Sequence, residues 1–428
     1  MKDNMKKYII FWLSQTVSQL GSSMTSFALI LWVYMQNGSA MEVSLMTFFN
    51  YIPFIIVSLF SGAFVDRYSK KKIMVIADTV AGLGTIAVLI LYIRNSLQVY
   101  HIYLVNFVIG ITNAFQGPAI AVVTGKIISK EKISRASGFV SFSNNLNMVL
   151  APVLASAIFL VSGLNGILVI DLLSFLFAVL IVVFEIDIVE EKLQISHKQS
   201  IIAECKEGYH FLKKNDLVWI IIITLAVINF FSRLTYENIL SPMILARSGN
   251  DSVTLGIVNA AMGMAGIIGG ILVASGKFSK RSIQMIYLSA IGSFLLGDLL
   301  MGLGTNVWIW SFAGMAASFP IPFIEAGQNK ILYECVPEQL QGRVFAIRNV
   351  IQFSTIPIGI LLGGFLADYV FEPFMGTNNT IAMLLHQCVG NGAGSGMAVM
   401  FLCTGIWGSI FCLIIYVAIN KRRRLFDI

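Results

Sequence analysis

Arg233 and Glu237 stand one helical turn apart in an apolar stretch that holds no other charge. At that spacing an acid and a base share a helix face and can neutralise each other. Glu325 stands in another such stretch, after Pro320 and Pro322 and one turn before Gln328. Asp78, Asp171 and Asp298 are similarly surrounded by apolar residues. Ionisable groups in such settings are costly to place in hydrocarbon, and they mark ion or ligand paths by default. Their chemistry here is holding a polar ligand or passing a proton. The sequence offers no bond-making constellation. Cys205, Cys335, Cys388, Cys403 and Cys412 show no paired or metal-ligand spacing, and the four histidines are scattered. No glycine-lysine nucleotide loop is present. Neither an enzyme, a cofactor nor a metal site is expected.

The elements that must position these groups follow from composition. Hydrophobic residues make up 57% of the chain and charged residues 12%. Apolar runs of about 20 residues, enough to cross ~30 Å of hydrocarbon as a helix, recur along the chain. The short alternating segments of a membrane β-barrel are absent from the sequence. Spans are predicted at 8–35, 42–64, 73–93, 99–122, 137–160, 164–184, 217–240, 252–275, 282–304, 307–330, 343–367 and 395–419. The first is read as a retained helix, because no small-residue cleavage site follows Met1-Lys-Asp-Asn-Met-Lys-Lys7. The organisation expected is a six-helix unit over 1–184, a charged linker over 185–216 and a second six-helix unit over 217–428. Ile201, Cys205, Tyr209 and Leu212 give the linker an apolar stripe suited to the membrane interface.

Basic residues set the orientation. Of the 29 lysines and arginines, Arg94 and Arg247 alone fall in one alternate set of loops and Arg233 inside a span, with Lys330, Arg343 and Arg348 at the span ends counted to the loop 330–348. All others lie in the opposite set or the two tails, which places both termini in the cytoplasm. The net charge of +7 thus reflects topology rather than nucleic-acid binding, and Lys421-Arg-Arg-Arg424 is an orientation anchor.

Polar faces inside the spans are the second set of candidates. Trp12, Gln15, Gln19, Ser22 and Ser26 share one side of span 1, and Asn106, Gly110, Asn113 and Gly117 one side of span 4. Ser141, Asn144, Asn145 and Met148 cluster in span 5, and Asn229 precedes Arg233 in span 7. In lipid such groups face protein or water. They either bond helix to helix or line a cavity. The segment 368–394, without Lys or Arg, reads as an external lid or a disordered loop.

The loop Gly62-Ala-Phe-Val-Asp66-Arg67, followed by Lys70-Lys71-Lys72 and set between spans 2 and 3, resembles the glycine-x-x-x-aspartate-arginine motif of the major facilitator superfamily. Gly38-Ser-Ala40, Lys71-Lys-Ile-Met-x-x-Ala-Asp78, Ala114-Phe-x-x-Pro-Ala119, Lys206-Glu-Gly208 and Gly342-Arg-Val-Phe345 resemble its macrolide-efflux and multidrug branch. Gly138-Phe139 before Pro152 is echoed by Gly342-Arg-Val-Phe345 before Pro357, a weak internal repeat. The resemblance implies an all-α integral membrane fold of twelve transmembrane helices in two six-helix bundles, with helices 1, 4, 7 and 10 around a central cavity. It implies a gating role for Gly62, Asp66 and Arg67, with Asp66 set against the start of helix 11. Span 5, Asn147-Met-Val-Leu-Ala-Pro152-Val-Leu-Ala-Ser156, has alanine and serine where many proton-coupled exporters of the superfamily carry glycines.

The reading is a plasma-membrane secondary transporter, monomeric, that exports an amphipathic, drug- or macrolide-like molecule by proton antiport through alternating access. Its partners are the small molecule, protons and the bilayer, with no nucleic acid. Coupling candidates are Glu325, Glu237, Arg233 and Asp171. Cavity candidates are Trp12, Gln15, Gln19, Asn113, Asn144 and Asn229. An exporter of a specific metabolite, such as a siderophore, peptide or lysophospholipid, is the alternative. A transporter-fold sensor or a membrane-embedded transferase is a remote one, lacking a signalling module or a catalytic cluster.

Overall fold

A computed structural model describes residues 5–128, 133–185, 210–274 and 282–425. Within these ranges the side chains of Gly62, Asp66, Arg67, Ser141, Asn145, Gly342 and Arg343 lie outside the described residues. So do Ile201, Cys205, Tyr209 and the remainder of 186–209. The chain divides into two compact units, Met1–Ile195 and Ser196–Ile428.

The first unit holds α1 (Met5–Asn37), α2 (Ala40–Arg67), α3 (Lys70–Ile93), α4 (Val99–Ile127) and α5 (Ile133–Glu185). Ser39 and Ser69 start α2 and α3, their side chains accepting the N–H groups of Glu42 and Lys72. Helix α5 is interrupted at Gly163, whose φ of 59° suits a residue without a Cβ. There the chain doubles back. Ala136 from the first arm and Val182 from the second both belong to one buried cluster with Tyr8. The first arm lies along α1, where Tyr8 OH donates to Ala136 O at 3.1 Å. The second arm approaches α1 at Gly21, where a Cβ would run into Ser174 and Asp171.

The second unit holds α6 (Asp216–Thr235), α7 (Leu240–Ser248), α8 (Ser252–Ala274), α9 (Ser282–Gly292) and α10 (Leu299–Leu303). A π-helical turn, Ser293–Asp298, joins the last two. Then follow α11 (Val307–Ser318), α12 (Ile321–Cys335), α13 (Glu338–Leu366), α14 (Glu372–Met375), α15 (Thr380–Val389) and α16 (Ser395–Leu425). Helix α6 packs on α13. The contact depends on Gly359 and Gly363, four residues apart, where Cβ atoms would meet Arg233 and the Leu234 carbonyl. Small residues at this spacing let helix backbones close in lipid, where the hydrophobic effect supplies no drive between helices. Leu212, the last residue of the predicted linker stripe, is buried against Val218, Ile222 and Leu332.

Ten segments among the described residues are long and apolar enough to cross a membrane. One, Phe142–Glu185, has 44 residues and is folded at Gly163, so it crosses twice. Helix α1, with 33 residues, is long enough but diluted by its polar face. Counted together these give twelve crossings.

The segment 368–394 is neither disordered nor a bare loop. It carries α14 and α15, and His386 Nε2 bonds Met375 O at 2.9 Å. The Glu372 carboxylate accepts the N–H groups of Gly394 at 3.3 Å and Met397 at 2.9 Å, an acid placed at the N-terminus of α16. Arg247 donates to Gly302 O at 3.2 Å and to Val389 O, so it meets the carbonyl ends of α10 and α15.

Candidate functional site

In the first unit, the polar face of α1 splits in two. Trp12 Nε1 donates to Phe139 O at 3.0 Å and to Ser143 Oγ at 2.6 Å, and its ring leans on Phe139. Thr16 Oγ1 and Ser143 Oγ are 2.7 Å apart. One turn on, Gln19 Nε2 donates to Asn144 Oδ1 at 3.4 Å, and both residues are exposed. Trp12 thus sits half-buried in the α1–α5 seam, whereas Gln19 and Asn144 emerge from it. Behind them Gln15 Nε2 and both amide atoms of Asn147 are buried without a hydrogen-bond partner. Such orphaned amides are rare in folded chains and carry a desolvation cost.

The face of α4 divides likewise. Asn106 O accepts from Asn50 Nδ2 at 3.4 Å, and a Cβ at Gly110 would run into the Asn50 carbonyl and Pro53. That half is a seam with α2. Asn113 and Gly117 are exposed. Three exposed candidates on these faces, Gln19, Asn113 and Asn144, are uncharged amides.

The acids of the first unit are tied down. Asp78 accepts from Gln116 Nε2 at 2.5 Å, which joins the two sequence stretches Lys71–Asp78 and Ala114–Ala119 across α3 and α4. Asp171 is 4% exposed and takes three hydroxyls. Ser22 donates to Oδ1 at 3.1 Å, Thr25 to Oδ2 at 3.0 Å and Thr85 to Oδ2 at 3.1 Å. Nearer the Gly62–Arg67 motif, Lys71 Nζ donates to Val183 O at 2.7 Å, a cation on the last turn of α5.

In the second unit, Arg233 NH1 bonds Glu237 Oε2 as the sequence spacing predicts. The pair spans the end of α6, after which residues 236–239 form a turn before α7 begins. Asn229 lies half-buried one turn before Arg233. The structure does not bring Glu325 to this pair through any described contact. Glu325 is exposed on α12, with Arg348 of α13 close enough to interact with it electrostatically. Arg348 NH1 donates to Asn329 Oδ1 at 2.9 Å, and its NH2 and Nε donate to Asn349 Oδ1 at 2.8 and 3.2 Å. The guanidinium is held by two amide oxygens beside the carboxylate.

Arg348 is the residue that sequence reading missed. It counted as a cytoplasmic loop cation, although Ile347–Met375 is a spanning segment. The signal was its place inside the predicted span 343–367, and α13 begins earlier still, at Glu338.

A family model described as the Major Facilitator Superfamily matches residues 11–359. Macrolide efflux protein A of Streptococcus pyogenes is 26% identical over 371 residues, 85% of this chain and 90% of that protein. Multidrug efflux pump Tap of Mycolicibacterium fortuitum is 22% identical over 366 residues, 81% of this chain and 86% of that protein. Among solved structures, a bacterial homologue of the iron transporter ferroportin in inward-facing state matches with a TM-score of 0.70. It covers 97% of this chain and 100% of its own at 13% identity, a likeness of fold.

Proposed function

Because this chain belongs to the Major Facilitator Superfamily, a family of membrane transporters rather than enzymes, we propose that it exports amphipathic small molecules, drug- or macrolide-like, by proton antiport through alternating access. The observation that carries this reading is Glu325. An exposed carboxylate inside a membrane-spanning helix, beside a guanidinium held by Asn329 and Asn349, belongs on a water-filled path rather than against lipid. There it is free to take up and release a proton as the path changes sides. The efflux names of the relatives support export over import. Gln19, Asn113 and Asn144 are the neutral contacts for cargo. Gly62, Asp66 and Arg67, at the end of α2, take the gating role that their motif implies.

The protein is proposed to act as a monomer in the plasma membrane with both termini cytoplasmic. Cys388, exposed on α15, then reacts with an impermeant maleimide added to intact cells, and labelling only after lysis contradicts that topology. The functional test is accumulation of a labelled panel in cells with and without the protein. The panel contains macrolides, cationic dyes, peptides and lysophospholipids. Export of a macrolide or dye that stops with a protonophore supports the reading. Protonophore-resistant export excludes the proton as driver, and selective export of a peptide or lipid replaces the cargo class.

A further inference from the structure

Each unit carries a proline inside its fifth crossing and, five residues before it, a buried amide. In the first arm of α5 the two are Asn147 and Pro152, and in α13 they are Gln352 and Pro357. Asn147 is 5% exposed and Gln352 7%. Asn147 Nδ2 and Oδ1 have no hydrogen-bond partner, and neither has Gln352 Nε2. Both residues lie on the side of their helix that packs against the first helix of their own unit. One turn before Asn147, Ser143 bonds Trp12 and Thr16 of α1. Two turns after Gln352, a Cβ at Gly359 would meet Arg233 of α6. The prolines add unmatched acceptors beside these donors. A proline has no N–H, so the carbonyls of Met148 and Phe353, four residues earlier, lose their partner in the helix ladder.

A buried donor or acceptor without a partner destabilises the state that contains it. Native chains hold few such groups, and each one asks for a reason. Here the same group stands at the same distance from a proline in both units, and proline is where helices bend. We propose that Asn147 and Gln352 are paired conformational residues. Each raises the energy of its seam as packed here, and each gains a partner when its helix changes its bend at the proline. The seam between first and fifth helix then has two conformations of similar energy, so that a small bias moves it from one to the other. The edge of the first seam fits such a role. Close to Asn147 it is closed by one exposed bond, Gln19 to Asn144 at 3.4 Å, longer than a usual N–H···O bond. The inference shares with the proposed function the alternation between conformations, and it depends on neither the cargo nor the proton.

The test is hydrogen–deuterium exchange of the full chain in nanodiscs, without cargo. Leucine and methionine are close to asparagine and glutamine in size and carry no polar group to leave unpartnered. Asn147→Leu should slow exchange about tenfold over 143–152, the scale of one unsatisfied buried group, because opening no longer relieves it. Gln352→Met should do the same over 348–357, and each variant should melt at a higher temperature than the parent. An amide that merely holds the seam together gives the opposite sign, faster exchange and a lower melting temperature, and that result overturns the proposal. Unchanged exchange overturns it too, as does slowing in one unit and not in the other. If Asn147→Leu fails to fold, Asn147→Val removes the amide with less bulk and is judged by the same sign. With a labelled macrolide, uphill export should fall as exchange slows; export at the parental rate despite slowed exchange would remove the seam from the transport cycle. Absence of macrolide export by the parent chain contradicts the cargo reading alone, and the exchange result still decides the role of the amides.

Discussion

In the first unit three of the exposed candidates on the polar faces of α1, α4 and α5 are amides, Gln19, Asn113 and Asn144, and its interior acids Asp78 and Asp171 accept from amide or hydroxyl donors. In the second unit the corresponding groups are charged: Arg233 with Glu237, and Glu325 with Arg348. A neutral amide face can hold many ligands at modest cost, because each hydrogen bond is worth about 1 kcal/mol net. Charges in a membrane interior are expensive and persist where they move ions or bind charge. On the proposed function, general recognition belongs to the first unit and energy coupling to the second.

The largest effect should come from unpairing a charge. Glu237→Gln leaves Arg233 without this carboxylate, at a cost below the about 3–5 kcal/mol of a fully buried pair, because the two side chains are 31% and 25% exposed. The yield of monodisperse protein should collapse and recover when Arg233→Gln is added. A Glu237→Gln protein with unaltered yield and melting temperature would remove the pair from the account. Next comes the helix contact beneath it. Gly363→Ala sets a methyl group against the Leu234 carbonyl and should destabilise the second unit by about 1–3 kcal/mol, read as a lower melting temperature. The same substitution at Gly117, which has open space, should not. The proposed gating motif comes next in size. Asp66→Asn should raise cytoplasmic-side cysteine accessibility and lower transport while expression holds; normal transport with unchanged accessibility would end that assignment. The smallest effects belong to the amide face. Gln19→Ala or Asn144→Ala should weaken half-saturation by roughly fivefold, about 1 kcal/mol, without touching the proton-to-substrate ratio. A changed ratio would blur the division between units.

Much of this was legible in the sequence because it is local. Span positions follow from apolar runs, and the Arg233–Glu237 pair follows from an i,i+4 spacing that a helix imposes. The rest depends on partners far along the chain. Asp171 stood out as an intramembrane acid and thus a coupling candidate, but its three hydroxyls come from α1 and α3, and no spacing announces them. Asn106 and Gly110 looked like Asn113 and Gly117, yet the first pair is covered by Asn50 and Pro53 of α2. Arg348 was hidden by the strength of the positive-inside pattern, which explains any arginine near a loop equally well. The order in 368–394 rests on Glu372 and Arg247 reaching helix ends, again long-range contacts.

The division of labour is tested most directly by proton movement on substrate addition in reconstituted vesicles, comparing the parent chain with Glu325→Gln and using a labelled macrolide as cargo. The account predicts that Glu325→Gln still binds the macrolide but no longer moves protons with it or drives uphill export. A Glu325→Gln protein that moves protons with substrate at the parental ratio would contradict it, and would return the coupling role to Asp171 or Asp298.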